Sequence, residues 1–135
     1  MEDLRQGGSD ERPKTREERL RELGTDPRSG RYRQLEAECA ERLERHVGSL
    51  ERDPSGDFDW FDTMSRSYDA VGPVPPQHFN APAFCRQIDA HLRKYGLDRV
   101  VVDLTGLGPG QRTAVISHIN GLPAERQARI IILDA

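Results

Sequence analysis

The chain reads as an α/β protein: a mixed β-sheet with helices on its faces, in the order α-β-β-α-β-α-β. Three observations predict this. Residues 31–47 and 80–95 carry apolar side chains at helical spacing. Residues 99–104 and 129–133 are short β-branched runs (Val100-Val101-Val102; Ile130-Ile131-Ile132) of the kind found in strands covered on both faces. Between them, residues 57–76 alternate like two strands of a hairpin. The last two strands are each reached through a helix, so they are expected to be parallel neighbours joined by right-handed crossovers.

Residues 1–28 alternate acids with arginine and lysine, and their apolar side chains are Met1, Leu4, Leu20 and Leu23. So little apolar surface does not offset ordering entropy. We therefore expect a charged arm, disordered or loosely helical over 14–23, followed by one domain over 29–135. In the helix over 31–47, Tyr32, Leu35, Cys39, Leu43 and Val47 fall on one stripe, and Gly48 ends it. Glu36 lies inside that stripe. A carboxylate there is costly unless it pairs with an arginine or binds a cation. Residues 50–52 allow a short strand, and residues 53–56 form a turn.

In the hairpin, Phe58 and Trp60 are expected on one face and Asp57, Asp59 and Phe61 on the other. A link over 63–66 brings Asp59 close to cross-strand register with Asp69 and leaves Asp62 in the turn. The run Gly72-Pro73-Val74-Pro75-Pro76 ends the second strand. Asn80 reads as the N-cap of the next helix, with Pro82 in its first turn and a stripe of Phe84, Ile88, Leu92 and Tyr95. Gln87 and His91 fall on or beside that stripe. Gly108-Pro109 introduces a third helix, with Val115, Ile116 and Ile119 inward and Gly121 as its stop.

Composition narrows the function classes. A net charge of −3 gives no global attraction to nucleic acid, so phosphate binding would have to come from a local basic face. Cys39 and Cys85 stand far apart, outside any CxxC or Cys/His cluster, which argues against a disulfide framework and a zinc site. Both read as small core hydrophobes of a reducing compartment. No apolar run approaches the roughly 18 residues of a membrane span, and no signal-peptide pattern opens the chain.

Glu36, Asp59 and Asp69 come from one helix and two adjacent strands. Carboxylates gathered at one point must take up protons or hold a cation. A hard divalent ion, Mg²⁺ above all, suits carboxylates completed by water and substrate phosphate, and such an ion activates water. A glycosidase pair of aspartates is the other reading, but the chain lacks an aromatic platform for a sugar.

The helix glutamate, Asp59-Trp60-Phe61-Asp62, then Ser67-Tyr68-Asp69-Ala70-Val71-Gly72-Pro73, resemble the restriction-endonuclease-like, PD-(D/E)xK, nuclease fold. Together with the later DRVVVDLTGL, ISHINGLP and RIIIL runs, they resemble C-terminal toxin domains of contact-dependent inhibition (CdiA-type) and other polymorphic bacterial toxins. The resemblance covers roughly residues 30–133. It implies a divalent-metal-dependent nuclease acting on tRNA, other RNA or DNA, with Glu36, Asp59 and Asp69 as metal ligands. It also implies a cognate immunity protein and action in the cytoplasm after export within a larger toxin; we expect a monomer. The pattern places a lysine two residues after the second-strand acid, where this chain has Val71. Substitutes are sought in Gln77, His78, Gln87 and His91, with His91 as the catalytic candidate and the others as substrate-binding ones. Without a substitute, the domain is expected to be a catalytically impaired module for protein–protein interaction.

Overall fold

The computed structural model describes residues 12–134. Helix α1 (Arg16–Gly24) starts at a capping box, in which Thr15 accepts from the Glu18 N–H and Glu18 accepts from the Thr15 N–H. It leads through a tight turn into α2 (Gln34–Val47). The short strands β1 (Leu50–Arg52) and β2 (Trp60–Asp62) precede β3 (Ser67–Val71). A 3₁₀ turn (Pro76–His78) then leads to α3 (Ala81–Leu92) and β4 (Arg99–Asp103). Helices α4 (Pro109–Asn120) and α5 (Ala124–Gln127) and strand β5 (Ile130–Leu133) complete the fold.

The five strands lie in sequence order, β1-β2-β3-β4-β5. β1–β2 and β2–β3 are antiparallel, whereas β3–β4 and β4–β5 are parallel. The expected α/β class with a mixed sheet is therefore the observed one. Alternation along β3 and β4 splits the core into two layers. Tyr68 and Val101 face α1 and α2, where they join Leu23, Cys39, Ala40, Leu43, Leu50 and Trp60. Val71, Val100 and Val102 face α3 and α4 and pack with Phe84, Ile88, Leu92, Val115 and Ile119.

Four expectations are corrected. First, Arg16–Gly24 is not a solvated arm: Leu20 and Leu23 are buried and α1 packs along α2. Polar anchors compensate for its few apolar residues. The Trp60 indole N–H donates to the Leu23 carbonyl at 2.8 Å, and Arg19 is ion-paired with Glu44. Residues 1–11 of the expected arm lie outside the described residues. Second, α2 buries Ala37, Cys39, Ala40 and Leu43, while Leu35 is 47% exposed and Tyr32 precedes the helix, bridged to Thr25. Third, α3 ends at Leu92, so Tyr95 leaves the stripe and stands in solvent. Fourth, β5 is less buried than expected: among the described residues it lies at the sheet edge, with Leu133 buried, Ile130 and Ile131 partly buried and Ile132 exposed.

The hairpin is shorter than its pattern. Phe61 opposes Ser67 and Trp60 opposes Tyr68, but the first strand leaves the ladder before Trp60. Phe58 consequently packs in the α3/α4 layer rather than beside Trp60. Asp62 closes the hairpin from the end of β2. Its carboxylate accepts from the Met64 and Arg66 N–H groups, the Arg66 side chain and the Tyr68 hydroxyl, which hold its pKa far below the usual range.

Candidate active site

Where β2 and β3 part, the backbone groups of both strands need other partners, and aspartates provide them. The Asp59 N–H donates to the Tyr68 carbonyl at 3.0 Å and to Asp69 Oδ1 at 2.9 Å. In return, Asp59 Oδ2 accepts from the Ala70 N–H at 2.9 Å. The near-register placement of Asp59 and Asp69 read from the hairpin is realised as this reciprocal pair.

Asp69 sits on β3 on the face that α3 covers, and it is 3% exposed. Its Oδ2 accepts from the Lys94 ammonium at 2.6 Å. His91 Nε2 stands 3.7 Å from the same oxygen. Both side chains come from the end of α3: His91 on its last turn, Lys94 just past it in the turn that leads to β4. The ammonium is fixed from two further sides, by a hydrogen bond to the Asp57 carbonyl and by the Phe58 ring, whose centroid lies 4.9 Å away. His91 Nδ1 lies 2.7 Å from the Gln87 carbonyl. A carbonyl only accepts, so Nδ1 carries the proton, and Nε2 is the ring nitrogen that faces Asp69 Oδ2.

Glu36 belongs to the first turn of α2, on the opposite side of the sheet from α3. It forms an ion pair with Arg52 of β1, the arginine-paired alternative for this residue. The contact is close, yet Glu36 Oε2 has no hydrogen bond of acceptable geometry and is buried. The two charges neutralise each other through that oxygen. Arg52 is itself held by the Leu23 carbonyl and lies over the Trp60 ring at 5.8 Å.

Asp59 takes the electrostatic consequence. Burial first, then the charge of Glu36, pushes its carboxyl up to about 7; Asp69 adds to the rise, while the Ala70 N–H and Arg52 oppose it. Desolvation and neighbouring carboxylates favour the neutral acid, as physical chemistry requires. Glu36, Asp59 and Asp69 thus share one electrostatic neighbourhood. Among the described residues, however, no three His, Cys, Asp or Glu side chains converge as a group able to hold a metal. The donors nevertheless fit a hard cation in kind. Mg²⁺ commonly takes one or two carboxylates with water and phosphate completing its shell. Asp59 and Asp69 supply two such carboxylates, whereas Glu36 Oε2 is already engaged by Arg52.

The other candidates separate. Gln87 contributes its backbone carbonyl to His91, and its own side chain is exposed. Gln77 and His78 lie in the 3₁₀ turn before α3, exposed and without a hydrogen bond or ion pair to the acids among the described residues. The ten-residue climb from Ala81 to His91 separates that turn from Lys94 by roughly 15 Å of helix. Lys94 was missed by the sequence reading, which looked two residues beyond Asp69 and found Val71. Val71 points into the α3/α4 layer as a core residue. The available signal was a lysine just after the helix that returns from the acid-bearing strand.

No protein-family model matches the chain, and no curated relative matches it. Among solved structures it is similar to the CdiA-CT toxin from Burkholderia pseudomallei E479, determined in complex with its cognate CdiI immunity protein. The two share 25% sequence identity, the match covers 73% of this chain and 97% of the toxin chain, and the TM-score is 0.61. This likeness supports a CdiA-type toxin domain built on a five-stranded mixed sheet with flanking helices.

Proposed function

We propose that this chain is a metal-dependent nuclease toxin domain of the PD-(D/E)xK type, hydrolysing phosphodiester bonds of RNA, with tRNA favoured over DNA. One observation carries the reading: the Lys94 ammonium lies 2.6 Å from Asp69 Oδ2, delivered by α3 to the acid whose own strand supplies Val71 instead of lysine. The impaired-module reading rested on Val71, and Lys94 supplies the cation that Val71 lacks.

The proposed roles follow from the chemistry of each group. Asp59 and Asp69, with Glu36 beside them, would hold a divalent cation, which when bound supplies charge neutralisation and a more acidic water. Lys94 keeps its proton at Nζ and offers donors to an attacking oxygen or a phosphate oxygen. His91 Nε2, which faces Asp69 Oδ2, accepts a proton. Removing a group of either kind typically lowers the rate about 10²–10⁴-fold. A partly exposed hollow of about 410 Å³ beside Glu36 carries Arg31 and Arg33, cations suited to a polynucleotide backbone. By analogy with the solved neighbour, which was determined with its cognate immunity protein, the partner that restrains this domain would be a dedicated immunity protein.

The test is cleavage of total tRNA and of plasmid DNA by the purified domain across a Mg²⁺ and Mn²⁺ titration. We expect metal-dependent cutting of tRNA that is lost in Asp59→Ala and Asp69→Ala. Equal cleavage by the wild type and both variants, or cleavage that a chelator leaves untouched, refutes it.

A further inference from the structure

A β-sheet has two edges, and this fold treats them differently. At β1 the edge is closed by side chains. The Leu50 N–H donates to Glu44 Oε2 at 2.8 Å, and Arg19 donates to the Leu50 carbonyl at 3.0 Å. An unpaired edge is a template for another strand, and such blocking is how folds suppress it.

At β5 nothing comparable is present among the described residues. The Arg129 and Leu133 carbonyls accept from the Val100 and Leu104 N–H groups of β4 at 3.0 and 2.8 Å. Alternation in a parallel ladder then turns the N–H and C=O of Ile130 and Ile132 outward. Ile132 is an exposed large hydrophobe on this edge. Beside it a cleft of about 330 Å³ is lined by Arg42, Arg45, His46, Ile132, Leu133 and Asp134. Arg42 is committed to buried Asp103, and Asp134 to Arg112. Arg45 and His46 are exposed and make no hydrogen bond or ion pair among the described residues. The open edge is therefore apolar at Ile132 and basic along its α2 side.

We propose that β5 is the docking edge for the immunity protein, which adds an acidic strand to this sheet by β-augmentation. The proposal rests on the toxin–immunity reading above. The basic side selects the occupant: a second copy would set Arg45 and His46 against their own equivalents or leave them unpaired, whereas an acidic strand neutralises them. Docking here leaves the Asp59–Asp69–Lys94 constellation uncovered at the sheet's other side of β4, so inhibition would come from steric exclusion of a large substrate.

The probe is the protein encoded immediately downstream of this chain, mixed with the full chain. Three readouts are taken: sedimentation of each component and the mixture, hydrogen exchange of β5, and affinity of variants. In Ile132→Pro the outward N–H is deleted while the bonds to β4 are kept, since proline is tolerated on an edge. Arg45→Glu with His46→Glu reverses the basic side and leaves the strand intact. We expect a monomeric free chain, protection of the Ile130 and Ile132 amides on mixing, and affinity weakened about tenfold or more in both variants. Thermal melts of the free variants should match the wild type. If the probe binds with β5 exchange unchanged and both variants within twofold, the docking edge is wrong while the toxin–immunity reading stands. A self-associated free chain with protected β5 amides assigns the edge to a second copy and overturns the proposal. Absence of any complex overturns both.

Discussion

Replacing Asp59 by Asn removes a charge that the fold holds at a cost. The wild-type carboxyl is pushed from 3.8 to about 7, by burial first and by Glu36 second. About three units correspond to roughly 4 kcal/mol at ~1.4 kcal/mol per unit, an upper bound that partial solvent access and residual denatured-state structure reduce to about 1–3 kcal/mol. Between about pH 4 and pH 7 the folded state binds a proton that the unfolded chain has released, so this group makes stability fall as pH rises through that window. Above pH 7 the whole penalty stands; below pH 4 both states are protonated and it vanishes. Asparagine keeps an acceptor for the Ala70 N–H, and it does not titrate. The assay is urea unfolding of wild type and Asp59→Asn at pH 4.5 and pH 8.5. We expect the variant to be more stable by about 1–3 kcal/mol at pH 8.5, with the gap closing at pH 4.5. A variant equally or less stable at pH 8.5, or a gap independent of pH, refutes the reasoning.

Three further predictions follow from the same structure. Mg²⁺ at millimolar concentration should raise the melting temperature of the wild type but not of Asp59→Asn, because ligand binding to the folded state alone stabilises it; equal shifts contradict the assignment of this carboxylate. Arg42→Met leaves Asp103, fully buried and otherwise bonded to the Thr105 N–H, without its counter-ion and should cost about 3–5 kcal/mol in urea unfolding. Trp60→Phe deletes the indole bond that ties the sheet to the Leu23 carbonyl and should cost about 1–3 kcal/mol, with faster hydrogen exchange across α1 as its local signature; unchanged α1 protection would show that the helix is held by other contacts.

The elements most legible in the sequence are those in which local chemistry and packing agree. Asn80 followed by Pro82 marks the start of α3, and Asn80 Oδ1 accepts from the Ala83 N–H as an N-cap should. The valine run of β4 is buried at Val100, Val101 and Val102 because β4 lies between two parallel neighbours and two helical layers. The isoleucine run of β5 looks the same in one dimension, yet chain order alone does not reveal that, among the described residues, β4 is its one neighbour in the sheet. A helix over 14–23 was legible but its packing was not, because two leucines suffice when Glu44 and Trp60 supply polar anchors to Arg19 and the Leu23 carbonyl from 25 or more residues away. At the site, Asp59 and Asp69 were legible because hairpin register is a local property. Glu36 was legible as a costly carboxylate, and its arginine partner is Arg52 of β1. Lys94 was not legible, because a helix intervenes between it and Asp69, and the distance it spans becomes short only when β3 and β4 pair.

The central claim is that Lys94 serves the acid pair in place of the residue at position 71. It is tested most directly by the rate of tRNA cleavage in Mg²⁺ by wild type, Lys94→Ala and Lys94→Arg, with circular dichroism confirming the fold of each. The account predicts a loss of about 10²–10⁴-fold for Lys94→Ala, and partial recovery in Lys94→Arg, which restores the charge but not the ammonium geometry. A Lys94→Ala variant that folds and cuts tRNA at the wild-type rate would contradict it.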